Sequence, residues 1–214
     1  DVLAALAGGA RTVDGVEIND VTVELMRTQF RDYTSRLYVD RPGVTITVDD
    51  GRSFVQHTDK RFDLVQASLV DTWAASSAGA YALAENSLYT TDAFREYLAA
   101  LKPEGMLSFS RWYDDPPVET MRVLVLARDA LMHHGIVDPR RHVAIVRTDS
   151  TETRQPSLAT VLIKLSPFTS TELKALEDWA HAMRFDVPYA PVTTGDPGGH
   201  GDGAQRHYAL LLDP

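Results

Sequence analysis

The chain has 214 residues, of which 44% are hydrophobic and 24% charged, as in a folded globular domain with a sizeable core. Its net charge of -9 argues against nucleic acid as a partner, because the phosphates would be repelled. The absence of cysteine excludes disulfides and thiolate metal sites, and the seven histidines show no metal-ligand spacing. We therefore expect no metal, and the acidic balance is compatible with a small cationic ligand such as an amine.

Hydrophobic periodicity and turn residues predict helices and strands in alternation. The predicted strands are 12–18, 44–48, 62–67, 106–109, 142–147 and 158–165. The predicted helices are 2–7, 20–33, 53–57, 91–101, 118–132 and 170–183. Three of these helices begin at polar residues suited to N-capping, namely Asn19 or Asp20, Thr90 or Thr91, and Thr169. No apolar run is long enough to cross a bilayer.

This alternation predicts an α/β fold with a doubly wound, mostly parallel sheet, covered by helices on both faces through right-handed crossovers. The domain is predicted to span residues 1–186. Residues 187–214, rich in Gly and Pro as far as Gln205, are predicted to form a mobile tail. The sequence starts inside a helical pattern, and we interpret this start as a cut within a longer polypeptide.

Ligands of such sheets bind beyond the carboxyl ends of the strands, so the residues that end each strand are candidates. Glu17 ends the first predicted strand and can accept hydrogen bonds from both ribose hydroxyls, or it can be a solvated acid beside a helix cap. Asp50 and Gly51 follow the second predicted strand. Asp50 can accept from the amine of adenine while Gly51 admits the ring, although Asp-Gly also forms ordinary turns.

The next two segments offer groups for an acceptor molecule. Ser68 and Asp71 follow the third predicted strand, where Asp71 can deprotonate or orient an attacking amine. The aromatic rings of Trp73 and Tyr81 can form a pocket wall or pack against a cation, and Glu85 can hold an ammonium group. Each of these side chains also has an ordinary structural role open to it.

Six stretches taken together resemble the spermidine synthase (polyamine aminopropyltransferase) family of methyltransferase-like Rossmann folds. They are DVLAAL, VDGVEIND, VTVDDGRSF, RFDLVQASLVDTW, ENSLYTTDAF and LKPEGMLSFSRW, and they cover about the first half of the chain in the family's order. These stretches are similar to those of bacterial members in which such a domain follows a multi-pass membrane segment.

The resemblance implies binding of S-adenosylmethionine or its decarboxylated form as co-substrate. Glu17 would hold the ribose, Asp50 and Gly51 would lie against the adenine, and Ser68 would face the same ligand. Asp71 would act on the amine acceptor beside Trp73, Tyr81 and Glu85. The resemblance further implies a homodimer and a cytoplasmic domain, tethered to the inner membrane when the full-length protein carries a membrane segment.

Two departures from the family pattern bear on activity. The family's acidic run reads Ser68-Leu69-Val70-Asp71 here, so a serine replaces its first acid. The glycine-rich loop and first strand are expected immediately upstream of Asp1 in the sequence. In the family's sheet this strand lies between the strands that end here at Glu17 and Ala67. The sequence therefore leaves three functions open: an aminopropyltransferase-like enzyme, an S-adenosylmethionine-dependent methyltransferase, or a non-catalytic nucleotide- or polyamine-sensing module of a membrane protein.

Overall fold

The computed structural model describes residues 1–70, 87–148, 157–191 and 203–214. The chain divides into two compact units, Asp1–Asp59 and Lys60–Pro214, which we call unit 1 and unit 2. This division does not coincide with the boundary between residues 186 and 187 predicted from composition.

Unit 1 is built on a two-stranded parallel sheet. Strand β1 (Val13–Glu17) pairs with β2 (Val44–Val48), and the register places Val13 opposite Val44 and Glu17 opposite Val48. The β-branched residues of β2 favour this extended conformation. The helices of unit 1 are α1 (Val2–Ala7), α2 (Asp20–Arg27) and α3 (Gly51–His57). Helix α2 ends six residues before the predicted end near Tyr33, and turns follow it.

Within unit 1, all of whose residues are described, only Val23 of α2 is buried. Every residue of β1 is half-buried, and two residues of β2, Thr45 and Val48, are exposed. This unit therefore has hardly any core of its own.

Unit 2 contains a five-stranded mixed sheet in the order β3-β4-β6-β5-β7. The strands are β3 (Phe62–Ser68), β4 (Leu101–Tyr113), β5 (Val143–Thr148), β6 (Ser157–Lys164) and β7 (Phe185–Tyr189). The helices of unit 2 in the described residues are α4 (Thr91–Ala99), α5 (Val118–His133), α6 (Ser170–Met183) and α7 (Gly203–Leu211), with a 3-10 turn over Pro139–His142. Strands β3 and β4 are parallel, and the other three pairings are antiparallel.

Helices cover both faces of this sheet. Phe109 of β4 packs against the rings of Phe94 and Tyr97 in α4, with centroids 5.0 and 5.8 Å apart. Met106 of the same strand packs in a cluster with Leu173 of α6. Because side chains alternate along a strand, residues 106 and 109 point to opposite faces. The predicted α/β class is confirmed.

The strand directions differ from the mostly parallel sheet that we expected. Strands β5 and β6 follow each other with only residues 149–156 between them, too few for the crossover that a parallel pair needs, and they pair antiparallel. Strand β7 was not predicted, and it pairs antiparallel with β5.

The described ends of the predicted tail contain regular secondary structure. Val187 to Tyr189 complete strand β7, and Gly203–Leu211 form helix α7. Tyr208 and Leu212 are buried, and the Tyr208 hydroxyl lies 2.9 Å from that of Tyr113 on β4. The Gly/Pro composition between these elements concealed them.

Two strand edges bear on the additional strand expected from the resemblance. Among the described residues, β1 pairs only with β2, and β3 pairs only with β4. Each strand thus presents one edge without a strand partner in the described part of the chain. A strand between them stays a prediction.

Every helix in the described ranges is too short or too polar to cross a membrane.

Candidate functional site

The carboxyl ends of β1 and β2 lie side by side and carry acidic residues. Glu17 is the last residue of β1, and Asp49-Asp50-Gly51 follow β2 directly. The backbone N–H of Asp49 donates to the carbonyl oxygen of Glu17 at 3.2 Å, one residue beyond the last paired position of the strands. Glu17 therefore lies at the end of β1 and Asp50 lies just after the end of the neighbouring strand β2.

The carboxylate of Glu17 takes part in the turn that starts α2. Its Oε1 accepts from the backbone N–H of Asn19 at 2.8 Å, and Asn19 in turn caps α2 by accepting from Thr22 at 3.2 Å. This bond fixes the carboxylate at the strand end. It uses one lone pair of Oε1, so Oε2 and the second lone pair of Oε1 can still accept from a ligand.

Asp50 is the N-cap of α3, so the turn interpretation of this residue holds as well. Its Oδ1 accepts from the backbone N–H of Ser53 at 2.9 Å, which satisfies one free donor of the helix start. Gly51 is the first residue of α3. The cap leaves Oδ2 of Asp50 as the acceptor for a ligand, while the short helix holds the side chain in place.

Both carboxylates belong to half-buried residues outside the depression of unit 1. A depression of about 370 Å³ in unit 1 is lined by residues of α2 and by Val48 at the end of β2, namely Asp20, Val21, Val23, Glu24, Leu25, Arg27 and Val48. Neither Glu17 nor Asp50 lines it. Among the described residues, no group of three or more His, Asp or Glu side chains is placed to hold a metal ion.

Ser68 ends strand β3 in unit 2, again at the carboxyl end. Leu69, which follows it, has a φ of 49°, and a bulky residue in the left-handed region is strained. The N–H of Leu69 donates to the carbonyl oxygen of Ser110 on β4 at 3.3 Å, which holds this bend against the sheet. This strained residue lies within the predicted catalytic segment, which begins at Ser68.

A row of hydroxyl groups crosses the sheet at Ser68. Ser68 lies opposite Ser110 of β4, and Ser110 lies opposite Thr160 of β6. The hydroxyl oxygens of Ser110 and Thr160 are 2.8 Å apart, and Gln66 Nε2 donates to Ser68 Oγ at 3.3 Å. Sequence reasoning missed Ser110 and Thr160, since their common face depends on the pairing of strands 50 residues apart.

Asp71, Trp73, Tyr81 and Glu85 lie outside the described residues. The described residues resume at 87, and Tyr89 among them contacts Arg111 on β4. Arg111 donates to the Tyr89 hydroxyl at 2.6 Å, and its guanidinium lies 4.3 Å from the centroid of the ring.

A second contact of Arg111 reaches helix α5. Arg111 Nη2 donates to Glu119 at 2.6 Å, and the Arg111 side chain is only 12% exposed. This ion pair links the carboxyl end of β4 to the start of α5. Arg111 therefore connects Tyr89, β4 and α5.

Solved structures share this architecture. A probable spermidine synthase from Corynebacterium glutamicum matches with a TM-score of 0.52 and 19% identity over 80% of this chain and 55% of its own. The spermidine synthase of Thermotoga maritima matches with a TM-score of 0.50 and 15% identity over 76% of this chain and 48% of its own. The fold is of the class I methyltransferase-like Rossmann type. The chain spans about half the length of these two proteins.

An rRNA methylase from Streptococcus thermophilus matches with a TM-score of 0.44 and 15% identity, over 77% of this chain and 80% of its own. No protein-family model and no curated protein sequence matches the chain.

Proposed function

We propose that the chain is the adenosyl-binding part of a transferase that uses S-adenosylmethionine or its decarboxylated form. One observation carries this proposal: Glu17 ends β1 and Asp50 lies two residues beyond the end of the neighbouring parallel strand β2, where the Asp49 N–H donates to the Glu17 carbonyl oxygen. A ribose diol offers two donors to Glu17, and the exocyclic amine of adenine offers a donor to Asp50. Carboxylates suit these donors, because an ionised carboxylate only accepts hydrogen bonds.

The chemistry that such a co-substrate supplies is a good leaving group, because the sulfonium departs as a neutral thioether. The protein then has to align a neutral nucleophile with the carbon next to sulfur and accept its proton. By the sequence resemblance, Asp71 would accept the proton of the attacking amine. Trp73, Tyr81 and Glu85 would bind that amine.

The hydroxyl row favours methyl transfer as a second candidate. Ser68 places a neutral group where the resemblance leads us to expect a carboxylate, and its neighbours across the sheet, Ser110 and Thr160, are neutral as well. A hydroxyl at its ordinary pKa does not act as a base toward an ammonium group. A methyltransferase needs the same adenosyl site but no diamine site.

Product analysis separates these functions. The chain is incubated with decarboxylated S-adenosylmethionine with and without putrescine, and separately with S-adenosylmethionine and a panel of amines. Methylthioadenosine that appears only with putrescine supports aminopropyl transfer, and S-adenosylhomocysteine supports methyl transfer. Adenosyl-ligand binding without either product supports a sensing module, and absence of binding contradicts the proposal. We also propose, from the sequence resemblance, that the protein forms a homodimer and that this domain lies in the cytoplasm, tethered to the membrane in the full-length protein.

A further inference from the structure

Asp49 connects the two candidate ligand-binding carboxylates, although neither proposed ligand contact uses it. Its backbone N–H donates to the carbonyl oxygen of Glu17 at 3.2 Å. This bond continues the parallel pairing of β1 and β2 by one residue beyond the Glu17–Val48 position. The backbone of Asp49 therefore sets where the chain leaves β2 relative to the end of β1.

The side chain of Asp49 acts on the next residue. Its Oδ1 accepts from the backbone N–H of Asp50 at 2.8 Å, and Asp50 Oδ1 accepts from Ser53 at 2.9 Å. Hydrogen bonds to an ionised acceptor are about twice as strong as those between neutral groups. The two bonds hold Asp50 from both sides, through its N–H and through its carboxylate.

Asp50 is thereby kept extended, with φ of −71° and ψ of 134°, immediately before a helix. Without the acceptor on Asp49, the N–H of Asp50 loses its partner and the peptide between the two residues is freer to rotate. Rotation of that peptide moves the Asp50 carboxylate relative to Glu17. Such a displacement weakens ligand binding, because Glu17 and Asp50 have to contact the same rigid ligand at once.

We propose that Asp49 is a positioning residue, which holds Asp50 so that adenine is preferred over hypoxanthine. The inference rests on the proposed function, in which Asp50 accepts from the exocyclic amine of adenine. Hypoxanthine carries a carbonyl oxygen at that position, and a carboxylate held there repels it. The preference for an adenosyl ligand over its inosyl analogue therefore measures how well Asp50 is placed.

The experiment measures the affinities of this chain for S-adenosylhomocysteine and S-inosylhomocysteine by titration calorimetry. The variants are Asp49→Ala and Asp49→Asn, with Glu24→Ala as an exposed acid-to-alanine control in the same unit. We expect Asp49→Ala to reduce the adenosyl preference by about fivefold or more, mostly through loss of adenosyl affinity. Asp49→Asn keeps an acceptor oxygen and should retain most of the preference, and Glu24→Ala should retain all of it.

A cycle with Asp50→Asn tests whether Asp49 acts through Asp50. In that background Asp49→Ala should cause little further loss of preference, because the group that it positions is already changed. Thermal unfolding of each variant verifies that it is folded. If Asp49→Ala does not fold, Asp49→Leu supplies a variant of similar size without an acceptor.

Two results overturn the inference alone. One is an unchanged adenosyl preference in Asp49→Ala, which includes an equal loss of affinity for both ligands, and the other is full additivity of Asp49→Ala and Asp50→Asn. A wild-type chain that binds neither ligand overturns the proposed function and this inference with it.

Discussion

The buried ammonium group of Lys164 donates a hydrogen bond to the carboxylate of Glu172. The Lys164 side chain is only 3% exposed, whereas that of Glu172 is 42% exposed. The ammonium also lies 5.4 Å from the centroid of the Phe168 ring. Glu172 therefore supplies the counter-charge for a lysine at the end of β6, and it also completes the capping box of α6 with Thr169.

Replacing Glu172 by Gln should destabilise the fold by about 1–3 kcal/mol, because a buried ammonium loses its counter-ion while Gln can still complete the capping box. The half-exposed position of Glu172 keeps the effect below that of a fully buried pair. Urea unfolding measures the change. Glu177→Gln makes the same replacement at an exposed position of α6 and should be neutral, so equal effects of the two variants would contradict this role of Glu172.

The partner variant Lys164→Met should cost less than Glu172→Gln. It removes the charge that is difficult to bury and leaves an apolar chain of similar length next to Phe168. The remaining Glu172 carboxylate reaches solvent. The urea midpoints of the two variants test this order of stability, provided that the unfolding free energy falls with urea concentration at the same slope in both. A larger loss of stability in Lys164→Met than in Glu172→Gln would contradict the prediction.

The fold should lose stability in mild acid through His142. Burial lowers the pKa of His142 below its ordinary value of 6.5, although its bond to the Lys164 carbonyl opposes this. The unfolded state thus binds the proton first. The stability that neutral His142 contributes is fully present above pH about 6.5. It is lost as the pH falls from there through the pKa of His142 in the folded state.

Glu172 extends the same trend to lower pH. Partial burial raises its pKa, but the hydrogen bonds from Lys164 and Thr169 outweigh this and hold the pKa below the ordinary value of 4.5. Its contribution is therefore present above that value and lost below it. Urea unfolding between pH 3 and 7.5 should show both steps, and His142→Asn, which keeps a donor for the carbonyl, should flatten only the upper step.

Glu17→Ala should weaken the binding of S-adenosylhomocysteine by about 1–3 kcal/mol, because a ribose hydroxyl pair loses its acceptor. Glu17→Gln, which keeps one acceptor oxygen, should lose less. Calorimetric titration measures both, with Glu24→Ala as the control. Unchanged affinity in Glu17→Ala would remove this residue from the site.

Ser68→Asp should increase putrescine-dependent release of methylthioadenosine from decarboxylated S-adenosylmethionine. It restores an acid that can accept a proton from the amine. Ser68→Asn has the same shape without the charge and should not show the increase. The release is measured by chromatography at equal enzyme concentration, and a similar rate in both variants would argue against aminopropyl descent of this site.

The sequence by itself determined the elements whose signals are local. Thr169 caps its helix as predicted, and the structure selects Asn19 and Thr90 from the two predicted pairs of alternatives. Such caps are visible in the sequence because each depends on residues only three positions apart. The β-branched run 44–48 forms β2 with the predicted bounds. The positions of Glu17 at the end of β1 and of Asp50 just after β2 followed from the same local patterns.

Only the tertiary structure decided which distant residues meet. The antiparallel insertion of β6 between β4 and β5 places Ser110 beside Thr160, and the return of α6 brings Glu172 to Lys164. Periodicity reports which residues of a segment share a face, but it carries no information on which segment will pair with it. Strand order and register arise from the packing of the whole sheet, and for that reason these contacts were not visible in the sequence.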